Sequence, residues 1–413
     1  MSRAAPVLRD GHRLQLLQGS RALFPALVEA VDRAERDVRL ETYIFDFTGA
    51  GAEVADALAR AAERGVAVQV LVDGLGTAAP PPHWRARFEA AGVQWRVYSP
   101  LGTLGLLLPG RWRRLHRKLC VVDERIAFCG GINILDDYHD PNHGALSHPR
   151  FDFAVRATGP LVADMLRAMT RLWLRLVSVR RLRPAELVSA VASLDAAADE
   201  MDRLRTARGR PDRRGPRDGA RSTRAALLLR DNVRHRRDIE RAYRKAFSTA
   251  RREIIIANAY FVPGGKMRRA LVMAARRGVR VQLLLQGRYE YFMQYYASRP
   301  VYAALLQAGI EIHEYAPSFL HAKVAVVDGR WATVGSSNLD PLSLLLAREA
   351  NVVSEDPHFA AELRRQLVGA MQAGGRRIDA AAYAHRSWRQ RALERLALIV
   401  MRLALLVHGK NYL

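Results

Sequence analysis

The chain has 413 residues, of which 49% are hydrophobic, and its formal net charge at pH 7 is +24. This length accommodates two domains of ordinary size, and the apolar fraction provides a sizeable core, which excludes an intrinsically disordered chain. The excess of positive charge favours an anionic partner, either nucleic acid or acidic lipid, and composition alone does not choose between them.

The amino-terminal segment, residues 1–17, lacks the apolar stretch of a signal peptide, and no apolar run of about 18 residues occurs elsewhere. We therefore expect a protein that stays in the cytoplasm. The two cysteines, Cys120 and Cys129, flank a short turn between apolar stretches that are predicted to form adjacent strands. Both are expected to be reduced core residues and not a redox pair, because the cytoplasm keeps thiols reduced.

Two stretches of the chain repeat each other. ALARAAERGVAVQVLVDG at 57–74 is echoed by ALVMAARRGVRVQLLLQG at 270–287, and each predicts a helix, a glycine stop and a buried strand. A second echo ends at Pro100 and at Pro317, again with an amphipathic helix before a β-rich run. Alternating helices and apolar strands predict an α/β protein whose two similar halves pack with pseudo-twofold symmetry.

These patterns divide the chain into four parts. Residues 1–180 and 231–370 are the two halves, and 181–230 is a basic, partly disordered linker between them. Its segment 203–224 is dense in Arg, Gly and Pro and too poor in apolar residues to order itself. A solvated tether is favoured for this linker, with electrostatic membrane contact as the alternative. Residues 371–413 are a basic amphipathic carboxy-terminal segment.

The motif that indicates chemistry is a duplicated H-x-K-x4-D, followed each time by a glycine turn and an asparagine. Residues two apart on a strand share a face, so each histidine is expected to point the same way as its lysine. A twofold packing of the halves can bring both pairs into one cleft. The candidate residues are His116, Lys118, Asp123 and Asn133 in the first copy, and His321, Lys323, Asp328, Ser336 and Asn338 in the second.

This grouping suits phosphodiester chemistry. A neutral imidazole can attack phosphorus while a second, protonated imidazole gives a proton to the leaving alkoxide. The lysines and asparagines, with Ser336, are expected to stabilise the negative charge on the nonbridging oxygens. The scheme requires no metal and no cofactor.

The duplicated H-x-K-x4-D with its following G-G/S-x-N resembles the signature of the phospholipase D superfamily. ETYIFD at 41–46 and AYFVP at 259–263 also look like the strands that precede the motifs in this family. The regions around both motifs are most similar to the shorter bacterial cardiolipin synthases. The chain departs from that pattern at Ala347, where an asparagine is expected.

The resemblance implies a single active site shared by both halves, with an acid downstream of each motif that orients its histidine, namely Asp152 and Glu349. Asp123 and Asp328 are expected to pair with a lysine or with nearby backbone. The implied reaction transfers a phosphatidyl group from one phosphatidylglycerol to another through a phosphatidyl-histidine. His116 is favoured as the nucleophile, although the near symmetry of the motifs provides no reason for that choice. A hydrolase or nuclease of the same superfamily is the alternative, and an inactive membrane-binding scaffold is a third hypothesis.

Three basic and apolar segments favour lipid over nucleic acid. An apolar run at 104–108 adjoins Trp112 and the arginines at 111, 113 and 114, which suits a loop that enters a membrane interface while the arginines contact lipid phosphates. The carboxy-terminal stretch, with arginines at 391, 395 and 402, predicts an interfacial helix or a helix docked on the core, and 165–183 has the same ambiguity. No nucleic-acid stacking module is recognisable. We expect a peripheral protein on the cytoplasmic face of the bacterial inner membrane that binds anionic phospholipid, with oligomeric partners left open.

Overall fold

Apolar runs rich in Val, Ile and Leu form the strands, and the alanine-rich segments between them form helices that cover both faces of the sheet. The computed structural model describes residues 7–100, 112–179, 222–231, 235–288, 292–340 and 347–406. The apolar run at 104–108, Arg111 and residues 181–221 of the basic linker lie outside these described residues, so the predictions made for them stay predictions. The last residues of the predicted linker, Thr223–Arg230, form a strand that pairs with a strand of the second half.

The first half contains ten strands and four helices within the described residues. The strands are β1 Arg9–Gln18, β2 Asp37–Thr42, β3 Ala67–Asp73, β4 Gln94–Tyr98, β5 Arg114–Leu115, β6 Lys118–Val122, β7 Ile126–Gly130, β8 His139–Asp140, β9 Gly144–Ala145 and β10 Phe153–Thr158. The helices are α1 Gly19–Asp32, α2 Gly49–Glu63, α3 Pro82–Ala91 and α4 Pro160–Val179.

The remainder of the described chain adds eight strands and six helices. The strands are β11 Thr223–Arg230, β12 Glu253–Asn258, β13 Arg280–Gln286, β14 Glu311–Tyr315, β15 Lys323–Val327, β16 Trp331–Gly335, β17 Ala347–Ser354 and β18 Gly375–Arg377. The helices are α5 Asp238–Thr249, α6 Gly265–Arg276, α7 Phe292–Gln307, α8 Pro357–Gly374, α9 Ala380–Ala384 and α10 Trp388–Leu406.

The sheet has the same strand order in both halves. Outward from the centre, one half runs β1-β10-β7-β6-β2-β3-β4 and the other runs β11-β17-β16-β15-β12-β13-β14. In each half three parallel strands follow one another, and the motif strand pairs antiparallel with the first of them. The antiparallel pair β1–β11 joins the halves into one continuous sheet. The predicted α/β fold with two similar halves is therefore confirmed.

Both predicted echoes form the expected elements. Helix α2 ends before Gly65 and is followed by β3, just as α6 ends before Gly278 and is followed by β13. Both glycines have a positive φ, near 90°, which a residue without a Cβ adopts at little cost. Both strands are buried along most of their length, so the motif strands beside them lie in a packed core.

Cys120 on β6 and Cys129 on β7 are both buried and free, as predicted. Burial raises the pKa of both thiols, that of Cys129 to about 12, so neither is a reactive thiolate at neutral pH. Among the described residues, no helix combines the length and the apolarity that crossing a bilayer requires.

Candidate active site

The first motif histidine lies at the contact between the halves. Strand β5 pairs in parallel with β17 of the second half, which places Ala347 opposite Arg114. The backbone N–H of His116, directly after β5, donates to the Arg348 carbonyl at 3.1 Å. His116 is therefore positioned by backbone pairing with the other half and not by its own half alone.

The second histidine is held in the matching way. The backbone N–H of His321 donates to the Phe151 carbonyl of the first half at 3.0 Å, next to a bridge between Phe151 and Leu320. Each histidine thus precedes its motif strand, β6 or β15, and is tied to the opposite half. This reciprocal arrangement follows from the pseudo-twofold relation of the halves.

The acids that face the histidines are exchanged between the halves. Nδ1 of His116 lies 3.1 and 3.2 Å from the two carboxylate oxygens of Glu349. Nδ1 of His321 lies 2.7 Å from an oxygen of Asp152. The expectation that each acid orients the histidine of its own motif is wrong, because β17 and the start of β10 lie at the contact between halves. Both acids are buried, which strengthens their effect on the imidazoles.

The charges of the two motifs act on each other's histidines across the contact between the halves. Burial lowers the pKa of His116, and the adjacent Glu349 opposes that shift. Burial holds the pKa of His321 well below its usual value, and the charges of Lys323 and Lys118 act in the same direction. The charges of both lysines also lower the pKa of His116. Each histidine is therefore close to the lysines of both halves.

Two other groups of this site titrate near neutral pH. Burial raises the pKa of Asp152 to about 7, against the opposing charge of Lys323. Burial lowers the pKa of Lys118 to about 7, against the opposing charge of Glu349. Because Asp152 lies 2.7 Å from Nδ1 of His321, these two residues titrate as a coupled unit. Such a unit can give and take a proton at neutral pH.

The lysines lie beside the histidines as the motif predicts. Nζ of Lys118 donates to the backbone carbonyl of His116 at 2.8 Å, and Nζ of Lys323 donates to that of His321. Lys323 is fully buried. The centroid of the Tyr43 ring lies 5.0 Å from the centroid of the His116 imidazole and 5.5 Å from Nζ of Lys118. Tyr43 was not predicted as a site residue.

The predicted asparagines lie in loops at the same edge of the sheet. Because β6 and β7 are antiparallel, with Lys118 opposite Gly130, the loop after β7 returns to the start of β6. The side-chain oxygen of Asn133 accepts a hydrogen bond from Ile44 N–H at 3.2 Å. Asn338 occupies the matching loop after β16 and is 2% exposed. Both asparagines therefore lie at the end of the sheet from which the histidines lead into the motif strands.

Ser336 has a different role from the phosphate contact that was expected. Its hydroxyl donates to Glu349 and accepts from the backbone N–H of Ala350 at 3.1 Å, and the residue is fully buried. It therefore holds the acid that faces His116. Gly131 occupies the matching position in the first half, where a Cβ would lie 2.4 Å from an oxygen of Asp152. The two histidine–acid pairs are consequently supported differently.

The motif aspartates lie at the far end of the strands. Asp123 accepts hydrogen bonds of 2.8–3.0 Å from the backbone N–H groups of residues 35–37, and Asp328 does the same with residues 251–253. Burial alone would raise the pKa of each carboxyl, but these donors lower it. Asp123 is five positions after Lys118, which corresponds to about 16 Å along a strand. Both aspartates pair with nearby backbone, and the structure gives them no contact with the histidines.

Another residue that was not predicted fixes the chain just before His116. The buried Asp73, at the end of β3, accepts from Leu115 N–H at 2.7 Å and from Arg114 at 3.1 Å. In the second half Gln286 accepts from Leu320 N–H at 3.1 Å. The sequence repeat indicates this equivalence, because Asp73 and Gln286 occupy matching positions directly before the last glycine of the two copies.

Arg114 was expected among the arginines that contact lipid phosphates, and the structure corrects this. It is 9% exposed, and its guanidinium donates to Asp73 and to the carbonyl and hydroxyl of Ser99 at 2.8–3.1 Å. Arg114 therefore stabilises the start of the catalytic segment.

Among the described residues, no group of three or more His, Cys, Asp or Glu side chains is arranged to hold a metal ion.

The family described as "cardiolipin synthase, PLD-like domain" matches residues 27–147 and 243–369, and these ranges contain both motifs. The chain belongs to this family. Cardiolipin synthase B of Escherichia coli K12 is 38% identical over 390 residues, which cover 92% of this chain and 85% of that protein. Cardiolipin synthase A of Erwinia tasmaniensis is 28% identical over 388 residues, which cover 94% of this chain and 74% of that protein.

Solved structures of other enzymes share the fold of this cardiolipin synthase family member. Phosphatidylserine synthase from Haemophilus influenzae Rd KW20 superposes with a TM-score of 0.65 at 13% identity, covering 98% of this chain and 97% of that one. Polyphosphate kinase from Porphyromonas gingivalis superposes with a TM-score of 0.55 at 15% identity, covering 95% of this chain and 53% of that one. At these identities the likeness concerns the fold alone.

Proposed function

We propose that the protein is a cardiolipin synthase that transfers a phosphatidyl group from one phosphatidylglycerol to the headgroup hydroxyl of another. The products are cardiolipin and glycerol. The observation that carries the proposal is the reciprocal pairing of two histidines with buried acids of the opposite half, in one site, within a member of this family. The relatives named cardiolipin synthase B support the same reaction.

The reaction proceeds in two displacements at phosphorus. In the first, the Nε2 of one histidine bonds to phosphorus, the bond from phosphorus to the glycerol oxygen breaks, and the other histidine gives its proton to that oxygen. In the second, the hydroxyl of the incoming phosphatidylglycerol loses its proton to the histidine that protonated glycerol, and its oxygen attacks phosphorus. The bond between phosphorus and nitrogen then breaks, which restores both imidazoles.

We assign the nucleophile to His116 and the acid and base to His321. The pair of Asp152 and His321 suits proton transfer, because burial raises the pKa of Asp152 to about 7 and its carboxyl lies 2.7 Å from Nδ1 of His321. The imidazole of His116 instead faces both oxygens of Glu349, which Ser336 holds in place. Such a fixed carboxylate suits a ring that becomes positively charged when it carries the phosphatidyl group. Trapping by denaturation at neutral to mildly alkaline pH, where the bond between phosphorus and nitrogen survives, followed by peptide mapping tests this assignment, and a label on His321 would reverse it.

The remaining polar groups of the site stabilise the transition state. Lys118 and Lys323 supply positive charge beside the histidines, and Asn133 and Asn338 supply amide donors for the nonbridging oxygens. The scheme uses only side chains of this protein.

Contact with a membrane is the second part of the proposal. Helix α10 packs on α7 and buries Ala397, while Leu396 and Ile399 are more than half exposed. Trp388 is 70% exposed, and exposed arginines at 389, 391 and 395 accompany this apolar face. The helix is thus docked on the protein and still presents an apolar and basic surface that suits an anionic interface. Arg402 lies beyond the side chains that the structure describes. We place the protein peripherally on the cytoplasmic face of the bacterial inner membrane.

The test is incubation of the purified protein with vesicles of labelled phosphatidylglycerol, without added metal, followed by separation of the lipid products. Cardiolipin from the wild type and none from His116→Ala is the expected result. Phosphatidic acid as the only product would replace the transferase with a hydrolase of the same superfamily. A complete lack of lipid products would direct the search to nucleic acid substrates.

A further inference from the structure

The imidazole of His116 lies against an aromatic ring of its own half. The centroid of the Tyr43 ring lies 5.0 Å from that of the imidazole, and the angle between the two planes is 58°. Aromatic rings pack favourably at separations of about 4.5–7 Å. Nζ of Lys118 lies over the same ring, 5.5 Å from its centroid, which suits a cation–π contact. Tyr43 therefore contacts both the histidine and the lysine of the first motif.

The position of the Tyr43 ring is fixed from the side opposite the motif. The backbone carbonyl of Tyr43 accepts a hydrogen bond of 2.8 Å from the Thr77 hydroxyl, which itself accepts from Phe45 N–H at 3.0 Å. The ring lies directly against Gly76, where a Cβ would come within 2.8 Å of two ring carbons. The ring is thus held between Gly76 and the first motif, and Thr77 fixes the backbone that carries it.

The second half has an alanine at the position that matches Tyr43. Phe45 and Phe261 are equivalent, because each forms a bridge with the residue that follows a motif asparagine. Two residues before these phenylalanines stand Tyr43 in the first half and Ala259 in the second. A methyl group at this position cannot cover an imidazole as a phenol ring does. The difference agrees with the different roles proposed for the two histidines, because the nucleophile alone carries the phosphatidyl group.

A ring in this place affects the fate of the intermediate. If water attacked the phosphorus of the phosphatidyl-histidine, the bond between phosphorus and nitrogen would break, a proton of water would pass to His321, and phosphatidic acid would form. The side chain of His116 is 17% exposed, and Glu349 faces its Nδ1. The Tyr43 ring covers another side of the imidazole, from which water would otherwise approach.

We propose that Tyr43 is a positioning residue that shields His116 from water and thereby directs the phosphatidyl-histidine to an alcohol acceptor. The inference rests on the proposed transferase function and on His116 as the nucleophile. The duplicated motif does not choose between alcohol and water, whereas a covering ring does so by its shape and apolarity. The role therefore belongs to the ring of Tyr43 and not to its hydroxyl.

The test measures the ratio of phosphatidic acid to cardiolipin that the full chain and its variants form from vesicles of labelled phosphatidylglycerol. Tyr43→Leu removes the ring, and Tyr43→Phe keeps the ring and removes the hydroxyl. Tyr243→Leu is the control for the loss of a packed tyrosine, because Tyr243 packs on Phe247 and Trp331 in the core of the second half. Tyr43→Leu should raise the ratio by about tenfold or more. Tyr43→Phe and Tyr243→Leu should keep the ratio of the wild type.

The product ratio separates this inference from the proposed function. A wild-type ratio in Tyr43→Leu would overturn the inference, and so would an equal rise in Tyr43→Phe or in Tyr243→Leu. Loss of both products from folded Tyr43→Leu would also overturn it, because the ring would then serve the first displacement and not the choice of acceptor. A wild type that forms no cardiolipin would instead refute the transferase itself, whatever the variants do.

A second variant protects the test against a folding failure. Thr77→Val keeps the shape of the side chain but removes the hydroxyl that holds the Tyr43 carbonyl, so it loosens the ring without deleting it. The ratio should rise about threefold in this variant, because a buried hydrogen bond is lost. The resonance of the His116 Cε1 proton should also shift in Tyr43→Leu and Thr77→Val, because the ring current of Tyr43 acts on it. A wild-type ratio and an unshifted resonance in Thr77→Val would contradict shielding by the ring.

Discussion

Replacing Asp152 by asparagine is the most direct test of the exchanged acids. The carboxylate of Asp152 lies 2.7 Å from Nδ1 of His321 and is 2% exposed. A hydrogen bond to a charged group contributes about 1.5–3 kcal/mol, and an asparagine removes the charge that stabilises the imidazolium. At 1.36 kcal/mol for each tenfold change in rate, Asp152→Asn should lower kcat about 10- to 150-fold.

The assay measures cardiolipin formation at saturating phosphatidylglycerol, together with the proton resonance of Nδ1–H in histidine-labelled protein. Asp152→Asn should shift the resonance of His321 and leave that of His116 unchanged. Glu349→Gln is the matched control and should produce the opposite pattern. An unchanged kcat in Asp152→Asn, or a shift at His116 in place of His321, would refute the crossed pairing.

Three further predictions concern stability and membrane contact. Burial lowers the pKa of Lys118 from its usual 10.5 to about 7 in the folded protein. Between pH 7 and 10.5 the unfolded chain therefore binds more protons than the folded one, so the free energy of unfolding rises with pH across this range. The destabilisation caused by Lys118 is consequently largest below pH 7. Lys118→Met should therefore raise the melting temperature at pH 6 and lose that gain toward pH 10.5; a gain independent of pH would contradict this. Asp328→Ala removes three hydrogen bonds from backbone N–H groups, at a residue with a φ of +53°. It should lower the free energy of unfolding in urea by about 2–4 kcal/mol. A free energy of unfolding equal to that of the wild type would show that those bonds contribute little. Leu396→Ser with Ile399→Ser should weaken sedimentation with anionic vesicles severalfold and leave the melting temperature within a few degrees, because both side chains are exposed. Unchanged sedimentation would remove α10 from the membrane contact.

The chemistry and the order of elements were readable from the sequence because both depend on local patterns. The duplicated His-x-Lys spacing places His116 and His321 just before buried strands, and the repeated helix, glycine and strand predict the α/β halves. Amphipathic and apolar periodicity arises from neighbours in the chain, so it is visible without the fold. The family resemblance rested on the same local motifs.

Only the tertiary structure decided which groups meet. The acid of His116 is 233 residues away in the chain, and that of His321 is 169 residues away. The support of Glu349 by Ser336 depends likewise on the pairing of β16 with β17. Motif spacing does not predict such contacts, because they arise from strand pairing across the junction of the halves. The chain therefore encodes the catalytic groups locally, while the packing of its two halves assigns each histidine its partner.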